Sequence, residues 1–491
     1  MLDFRPVFLV IGLLLVAFGA SMLLPMLVDL ASGRPSAEAD WKGFGLSALL
    51  CAGFGGLLAA ACFGRIETIT ARQGFLITTL SWVALIAAGA LPMLFGSVDI
   101  SVTDAVFESA SGLTTTGATV VTGLDRAPPG FLLWRSVLQW IGGIGVIIMA
   151  IAVLPFLSVG GMQLFRLESS DKSDKVLPGA RGIAASITVL YVALTALCGL
   201  IYGLMGMTAF DAVNHAMTTV ATGGYSTHDA SFGFFLTDPD VRGPVDLVAT
   251  VFMILGSLPF AVYLLMLRGR LGAFARDAQI RFFLAAAFVF IAIIAARIIA
   301  TMDMDAFTGF RLAAFNVVSI MTGTGYATTD YGLWGPFAVG FFFCIMFVGG
   351  CAGSTSCGLK IFRLQVALAA LAVYARRLAH PNRVTISRYN GRPLTEDVFL
   401  SVLSFFFIYF TVFATVAVGL SLYQLDAVTA LSAAGSAVAN VGPGLGDIVG
   451  PAGNYEPLPG GAKWLLSVAM LLGRLELLTV LVLFVPSFWT R

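Results

Sequence analysis

Long apolar runs and short polar stretches alternate along the chain. Ten runs are each long enough to span a bilayer as a helix: near 7–30, 43–63, 74–96, 131–158, 183–206, 243–267, 279–301, 333–375, 397–421 and 463–486. About 20 apolar helical residues cover roughly 30 Å of hydrocarbon. Within the last four pairs lie shorter, more polar segments, beginning near Asp104, Asp211, Phe310 and Asp426. Each opens with helix-compatible residues and ends in a turn rich in Gly, Thr, Ser or Asn.

The four segments read DAVFESASGLTTTGATVV from Asp104, DAVNHAMTTVATGGYST from Asp211, FNVVSIMTGTGYATTDY from Phe315 and DAVTALSAAGSAVANVGPGLG from Asp426. Three open with Asp-Ala-Val, and all reach a glycine after small or hydroxylated residues: Gly117, Gly224 (or Gly223), Gly325 and Gly442. Recurrence at roughly a hundred residues is an internal repeat. The expected fold is an all-α polytopic membrane protein, two N-terminal helices followed by four pseudo-symmetric helix–pore-loop–helix repeats around one pore. The expected boundaries are a two-helix segment at 1–67 and repeats at 68–165, 166–270, 271–380 and 381–491.

Composition agrees. The 491 residues are 58% hydrophobic and only 11% charged, where a soluble protein carries about a quarter charged residues. The first apolar run is longer than a signal peptide's hydrophobic region and reads as a retained span. Six cysteines, mostly within apolar runs and without a CxxC pair or Cys/His cluster, read as small packing residues rather than as a zinc site or disulfide framework.

Net charge is only +1, but its distribution is uneven. The connections between repeats hold Arg166, Lys172, Lys175 and Arg181, then Arg268, Arg270, Arg276 and Arg281, then Lys360, Arg363, Arg376, Arg377, Arg383, Arg388 and Arg392. By the positive-inside rule both termini and these connections are cytoplasmic and the four short segments face outward. Acids such as Asp99, Asp104, Glu108, Asp125, Asp211, Asp229, Asp330, Asp426 and Asp447 fall on the outer side. They read either as a solvated surface or as a vestibule that concentrates cations; as a group they favour a cation.

Irregular backbone at membrane depth survives only where protein or trapped water satisfies it. Four re-entrant turns meet that demand by converging on one axis, where carbonyl oxygens replace a cation's hydration shell. Thr115-Thr116-Gly117-Ala118-Thr119, Thr222-Gly223-Gly224-Tyr225, Gly323-Thr324-Gly325-Tyr326 and Asn440-Val441-Gly442-Pro443-Gly444 are similar to the potassium-channel TVGYG filter. With RSVLQWIGGIGVI from Arg135, GGCAGSTSCGLK from Gly349 and MLLGRLELLTV from Met470, the chain from about residue 40 onward resembles the Trk/Ktr/HKT superfamily, most closely its bacterial TrkH type.

That resemblance implies potassium uptake across the bacterial cytoplasmic (inner) membrane, with potassium as the permeant ion and no organic cofactor in this chain. It places the filter on Thr115, Thr116 and Gly117, on Thr222 with Gly223 or Gly224, on Gly323, Thr324 and Gly325, and on Asn440, Val441 and Gly442. It also implies a homodimer and a separate cytosolic NAD- or nucleotide-binding regulatory subunit. The basic stretch from Arg376 to Arg392, including Tyr389-Asn390-Gly391, reads either as its docking surface or as an ordinary solvated loop.

The 333–375 run is too long for one helix, and its middle holds Gly349, Gly350, Gly353 and Gly358 with Ser354, Thr355 and Ser356. Interior glycines cost about 1 kcal/mol each against alanine. One reading is a close helix-packing face; the resemblance instead implies an intramembrane loop that obstructs the pore. Arg474, in the last apolar run, either snorkels to the interface or, as the resemblance implies, faces the pore below the filter. Glu476, two residues on, does not share its helix face.

No enzymatic constellation emerges. His215, His228 and His380 are scattered, and His215 reads as a packed residue. Gly444-Leu445-Gly446-Asp447 imitates the GxGD of intramembrane aspartyl proteases without a second aspartate inside a span. No nucleotide-binding loop or nucleic-acid-binding signature is present. The alternative function is coupled secondary transport, which buried mid-span carboxylates would favour; apart from Glu476 they are largely missing.

Overall fold

The computed structural model describes residues 3–33, 37–64, 69–152, 180–381, 388–390 and 392–490. Arg166, Lys172, Lys175, Arg383 and Gly391 lie outside the described residues, as does the end of the run expected at 131–158.

Helices α1 (Arg5–Ser21) and α2 (Leu23–Ser32) form one 28-residue apolar span packed on α3 (Ala37–Ala61). Gly12 and Gly55 meet there: a Cβ on Gly12 would lie 2.6 Å from the Gly55 carbonyl oxygen. Such contacts let two membrane helices approach closely.

Four units of one plan follow. The first is α4 (Ala71–Phe95), α5 (Val102–Leu113) and α6 (Pro129–Ala152). The second is α7 (Ala180–Leu204), α8 (Ala209–Val220), α9 (Val245–Gly256) and α10 (Phe260–Leu267), after which the short α11 (Gly272–Arg276) leads onward. The third is α12 (Ala278–Met302), α13 (Ala306–Thr322), α14 (Pro336–Ile345) and α15 (Ile361–Ala379). The fourth opens with a hairpin of β1 (Arg388–Tyr389) and β2 (Arg392–Pro393), then α16 (Glu396–Ser421), α17 (Ala427–Ala439), α18 (Gly460–Arg474) and α19 (Leu478–Leu481).

The short helices α5, α8, α13 and α17 each pack between the longer helices of their own unit. Neighbouring units interlock as well: α8 packs on α6, α13 on α9, and α5 on α18. The first unit therefore touches the last, and the arrangement is a closed ring.

Each short helix starts at a side-chain cap. Ser101 and Thr208 accept from the backbone N–H of Asp104 and Asp211, and Asp305 and Asp426 accept from those of Thr308 and Thr429. Such caps satisfy otherwise orphaned donors. The shared Asp-Ala-Val is thus not one structural position, since its Asp is the third helical residue, in the first turn, of α5 and α8 but the cap itself in α17. α13 likewise starts at Ala306, ahead of the expected Phe310.

Two runs expected as single spans are broken. α9 and α10 meet at 90°, and α18 turns by 102° after Arg474. Pro259, which has no N–H to donate, stands at the first break. Glu476 and Leu477, with φ of 61° and 35°, make the second. With the long 333–375 run divided at 346–360, the second long helix is interrupted, among the described residues, in three of the four units.

Candidate functional site

All four short helices end alike. The residues Thr115, Thr222, Gly323 and Asn440 have φ of 53°, 52°, 74° and 53°. The next N–H, of Thr116, Gly223, Thr324 and Val441, reaches back five residues to the carbonyls of Ser111, Thr218, Ser319 and Ser436 at 2.9, 2.9, 2.8 and 3.0 Å. This is the Schellman helix end. A second left-handed residue follows two positions on: Gly117, Gly224, Gly325 and Gly442, with φ of 85°, 79°, 82° and 108°. Carbonyls alternate sides along an extended chain, and reversing φ at every second residue undoes that alternation. Left-handed backbone costs a β-branched residue most, yet Thr115 and Thr222 adopt it.

These glycines close a ring. A Cβ on Gly117 would lie 2.2 Å from the Gly223 carbonyl oxygen, one on Gly224 1.8 Å from that of Thr324, one on Gly325 2.0 Å from that of Val441, and one on Gly442 2.7 Å from that of Thr116. Each loop meets the carbonyl of the next, and the fourth returns to the first. Of the two glycines left open in the second loop, Gly224 holds the ring position with positive φ, and Gly223 supplies the oxygen.

Buried side chains fix the loops from behind, and sequence reasoning gave no role to Gln139, Ser436 or Tyr455 among them. Gln139 on α6 donates Nε2 to the Gly223 carbonyl at 2.6 Å and accepts the Tyr225 N–H at 3.0 Å. Ser436 Oγ and Tyr455 Oη donate to the Gly442 carbonyl at 2.7 and 2.8 Å. Asn440 Nδ2 reaches Thr116 Oγ1 at 2.9 Å, joining fourth and first loops. Glu108 accepts from Val120 N–H at 3.0 Å and from Arg135 Nε at 2.8 Å, and Arg135 also donates to the Ser226 carbonyl at 2.9 Å. The only signal for this shell was polar residues at positions of an otherwise apolar helix. His215 is fully buried against Ser226 Oγ at 3.0 Å, a packed residue as expected.

Directly beneath lies the glycine-rich stretch, non-helical from Val348 to Lys360. Ser356 Oγ donates to the Thr322 carbonyl at 2.6 Å and Thr355 Oγ1 to the Val220 carbonyl at 3.0 Å, so it touches the ends of α13 and α8. Cys357 Sγ lies 3.6 Å from Thr115 Oγ1. The broken α9–α10 helix satisfies its backbone: Thr355 and Cys351 donate to the carbonyls of Gly256 and Ser257 at 3.2 and 3.0 Å, and Phe260 donates to the Gly353 carbonyl at 3.0 Å. Gly349 N–H donates to the Leu359 carbonyl at 2.9 Å, and Gly350 N–H to Ser356 Oγ at 2.9 Å. Gly358 and Gly353 have positive φ, and Ser354 Oγ folds back onto the Cys351 carbonyl at 2.6 Å.

Arg474 is only 3% exposed. Its Nη1 donates to the Thr355 carbonyl at 3.1 Å and contacts Cys357 Sγ, and its Nη2 donates to the Gly142 carbonyl on α6 at 2.8 Å. The side chain therefore staples the stretch to α6 rather than snorkelling. Glu476 pairs with Arg363 instead, and Lys360 Nζ donates to the Ser356 carbonyl. Below the stretch remains a cavity of about 20 Å³, bordered by Lys360, Arg363, Arg474 and Glu476. Cys357 is thus a polar-contact residue, unlike the packing role expected of the cysteines.

Between the first and second units, His228 Nδ1 lies 2.5 Å from Asp125 and Nε2 3.5 Å from Asp211, with its ring stacked on Phe234. Burial works against the imidazolium, but hydrogen bonds and charge from Asp211 and Asp125 raise its pKa above 6.5. Lys463 pairs with Asp104 at 2.6 Å across the first and fourth units.

The family whose model matches residues 44–491 is TrkH, described as a cation transport protein. The Trk system potassium uptake protein TrkI of Halomonas elongata is 46% identical over 493 residues, covering 99% of this chain and 97% of its own length. The Trk system potassium uptake protein TrkH of Escherichia coli K12 is 36% identical, covering 99% of this chain and all of its own. The crystal structure of the potassium transporter TrkH from Vibrio parahaemolyticus superposes with a TM-score of 0.90 at 34% identity, over 99% of this chain and 100% of that one. The ring of four units and these likenesses along nearly the whole length agree: the chain belongs to the TrkH family, and is a transport protein rather than an enzyme.

Proposed function

We propose that this chain carries potassium into the bacterial cell through a filter made by Thr115–Gly117, Thr222–Gly224, Gly323–Gly325 and Asn440–Gly442, and that residues 349–358 with Arg474 gate it. The observation that carries the reading is the closed glycine–carbonyl ring. Backbone carbonyls coordinate a dehydrated alkali cation, and the negative ends of α5, α8, α13 and α17 point toward the same place. The stretch at 349–358, packed against three loops with a buried arginine below it, is suited to block the path.

A channel-like passage fits better than coupled transport. Glu108, Asp246 and the partly buried Glu476 are each paired with an arginine, Arg135, Arg311 and Arg363, rather than standing alone. Entry down the membrane potential gains about 2.3 kcal/mol per charge per 100 mV. Both termini and the basic connections then face the cytoplasm of a cell whose inner membrane holds the chain, with the repeats divided at 68–165, 166–270, 271–380 and 381–491. Assembly as a homodimer and control by a cytosolic nucleotide-binding subunit belong to the same reading.

Rubidium tracer uptake into proteoliposomes of purified protein tests it. Uptake is expected under an inside-negative potential, with potassium competing strongly and sodium and lithium weakly. Equal competition by all three ions would remove the filter.

A further inference from the structure

A cavity of about 400 Å³ lies away from the pore, bordered by Arg276, Ala278, Arg281, Gln365, Arg388 and Asn390, among others. Its three arginines come from three elements, the end of α11, the first turn of α12, and β1. All three are exposed, and none forms an ion pair with another described residue. The acid nearest in sequence, Asp277, turns its carboxylate onto the N–H groups of Gln279 and Ile280 at 2.8 and 3.0 Å and caps α12. Three arginines bordering one cavity repel each other unless an anion joins them. Their planar donor forks suit phosphate oxygens.

A neutral requirement accompanies the charge. Gln365 donates Nε2 to the Ala278 carbonyl at 2.8 Å, which leaves its buried Oε1 without a donor. We propose that this cavity binds a phosphate-bearing polyol, the phosphate on Arg276, Arg281 and Arg388 and a hydroxyl on Gln365. A phospholipid headgroup such as phosphatidylglycerol and a free nucleotide both carry that chemistry.

The location gives an occupant leverage. Ala278 borders the cavity, and its neighbour Gln279 accepts the Ala352 N–H at 2.9 Å, inside the proposed gate. Gln365 stands one turn into α15, the helix that continues from that stretch. An occupant thus joins α11, α12, α15 and the hairpin where they support the loop. Only the cytoplasmic placement and the link to gating rest on the function proposed above; the binding does not.

The test is thermal unfolding of the purified protein, which needs no ion flux. It compares the unaltered chain, the triple variant R276Q/R281Q/R388Q, and the control R377Q at an exposed arginine outside the cavity. One arm adds ATP in detergent; the other replaces phosphatidylcholine vesicles with vesicles that also contain phosphatidylglycerol. The expected result is a Tm rise of about 2–4 °C in at least one arm for the unaltered chain and R377Q, absent from the triple variant. A rise with ATP alone identifies a soluble phosphate, and one with phosphatidylglycerol alone a lipid. Equal responses of all three proteins in both arms overturn the site. So does stabilisation by polyglutamate without either phosphate source, which would make this face a protein-docking surface.

Discussion

At Gly224 a Cβ would fall 1.8 Å from the Thr324 carbonyl oxygen, on backbone with φ of 79°. At Gly223 its nearest neighbours would be atoms of the Gln139 side-chain amide, at 2.4 to 2.9 Å, rather than the backbone of another loop. A left-handed L-residue costs about 1–2 kcal/mol before any clash, and 1.4 kcal/mol is tenfold in selectivity. Gly224→Ser is therefore expected to lower the potassium-over-sodium preference by about tenfold or more, and Gly223→Ala by less, in competition flux; the reverse order would displace Gly224 from the ring. Spacing after the shared Asp-Ala-Val favours Gly224 while leaving Gly223 open, because the distinction depends on which peptide faces the neighbouring loop. The clasp at His228 shows the same limit, since Asp125 belongs to another unit. A histidine with raised pKa stabilises fully below its ordinary value of 6.5 and loses that contribution as pH rises through the raised value. The Tm is thus expected to fall as pH climbs from 6.5 into the alkaline range, and His228→Gln should flatten that slope.

Whole helices were legible where hydropathy suffices, because an apolar run of span length has few alternatives in a bilayer. The breaks in α9–α10 and after Arg474 were not. Hydropathy reports composition, whereas at the α9–α10 break the carbonyls of Gly256 and Ser257 bond the N–H groups of Thr355 and Cys351, and after Arg474 the backbone turns at the left-handed Glu476 and Leu477. The glycine run at 349–358 was legible as a weak point, and its partners came only with the structure. Arg474→Ala removes the hydrogen bonds to Thr355 and Gly142 that tie this stretch to α6. Basal rubidium flux is expected to rise in that variant, and also on shortening the glycine stretch; unchanged flux in both would exclude a gate here. Glu476→Gln removes the carboxylate that pairs with the buried Arg363, and hydrogen bonds to charged groups contribute about 1.5–3 kcal/mol. A marked loss of thermal stability is the expected readout.

For the molecule as a whole, the fourfold repeat was readable from the four glycine turns, although the Asp-Ala-Val that helped reveal it marks different helix positions. What binds the repeats into one ring comes from distant pairs such as Asn440 with Thr116 and Lys463 with Asp104, 324 and 359 residues apart. No local pattern encodes separations of that order. The ring has one chemical purpose in this account, to replace the water around a potassium-sized cation. Anomalous diffraction from crystals grown in rubidium chloride tests that most directly. The account expects rubidium peaks on the axis enclosed by Gly117, Gly224, Gly325 and Gly442; a well-phased map with none there, under conditions that support rubidium flux, would contradict it.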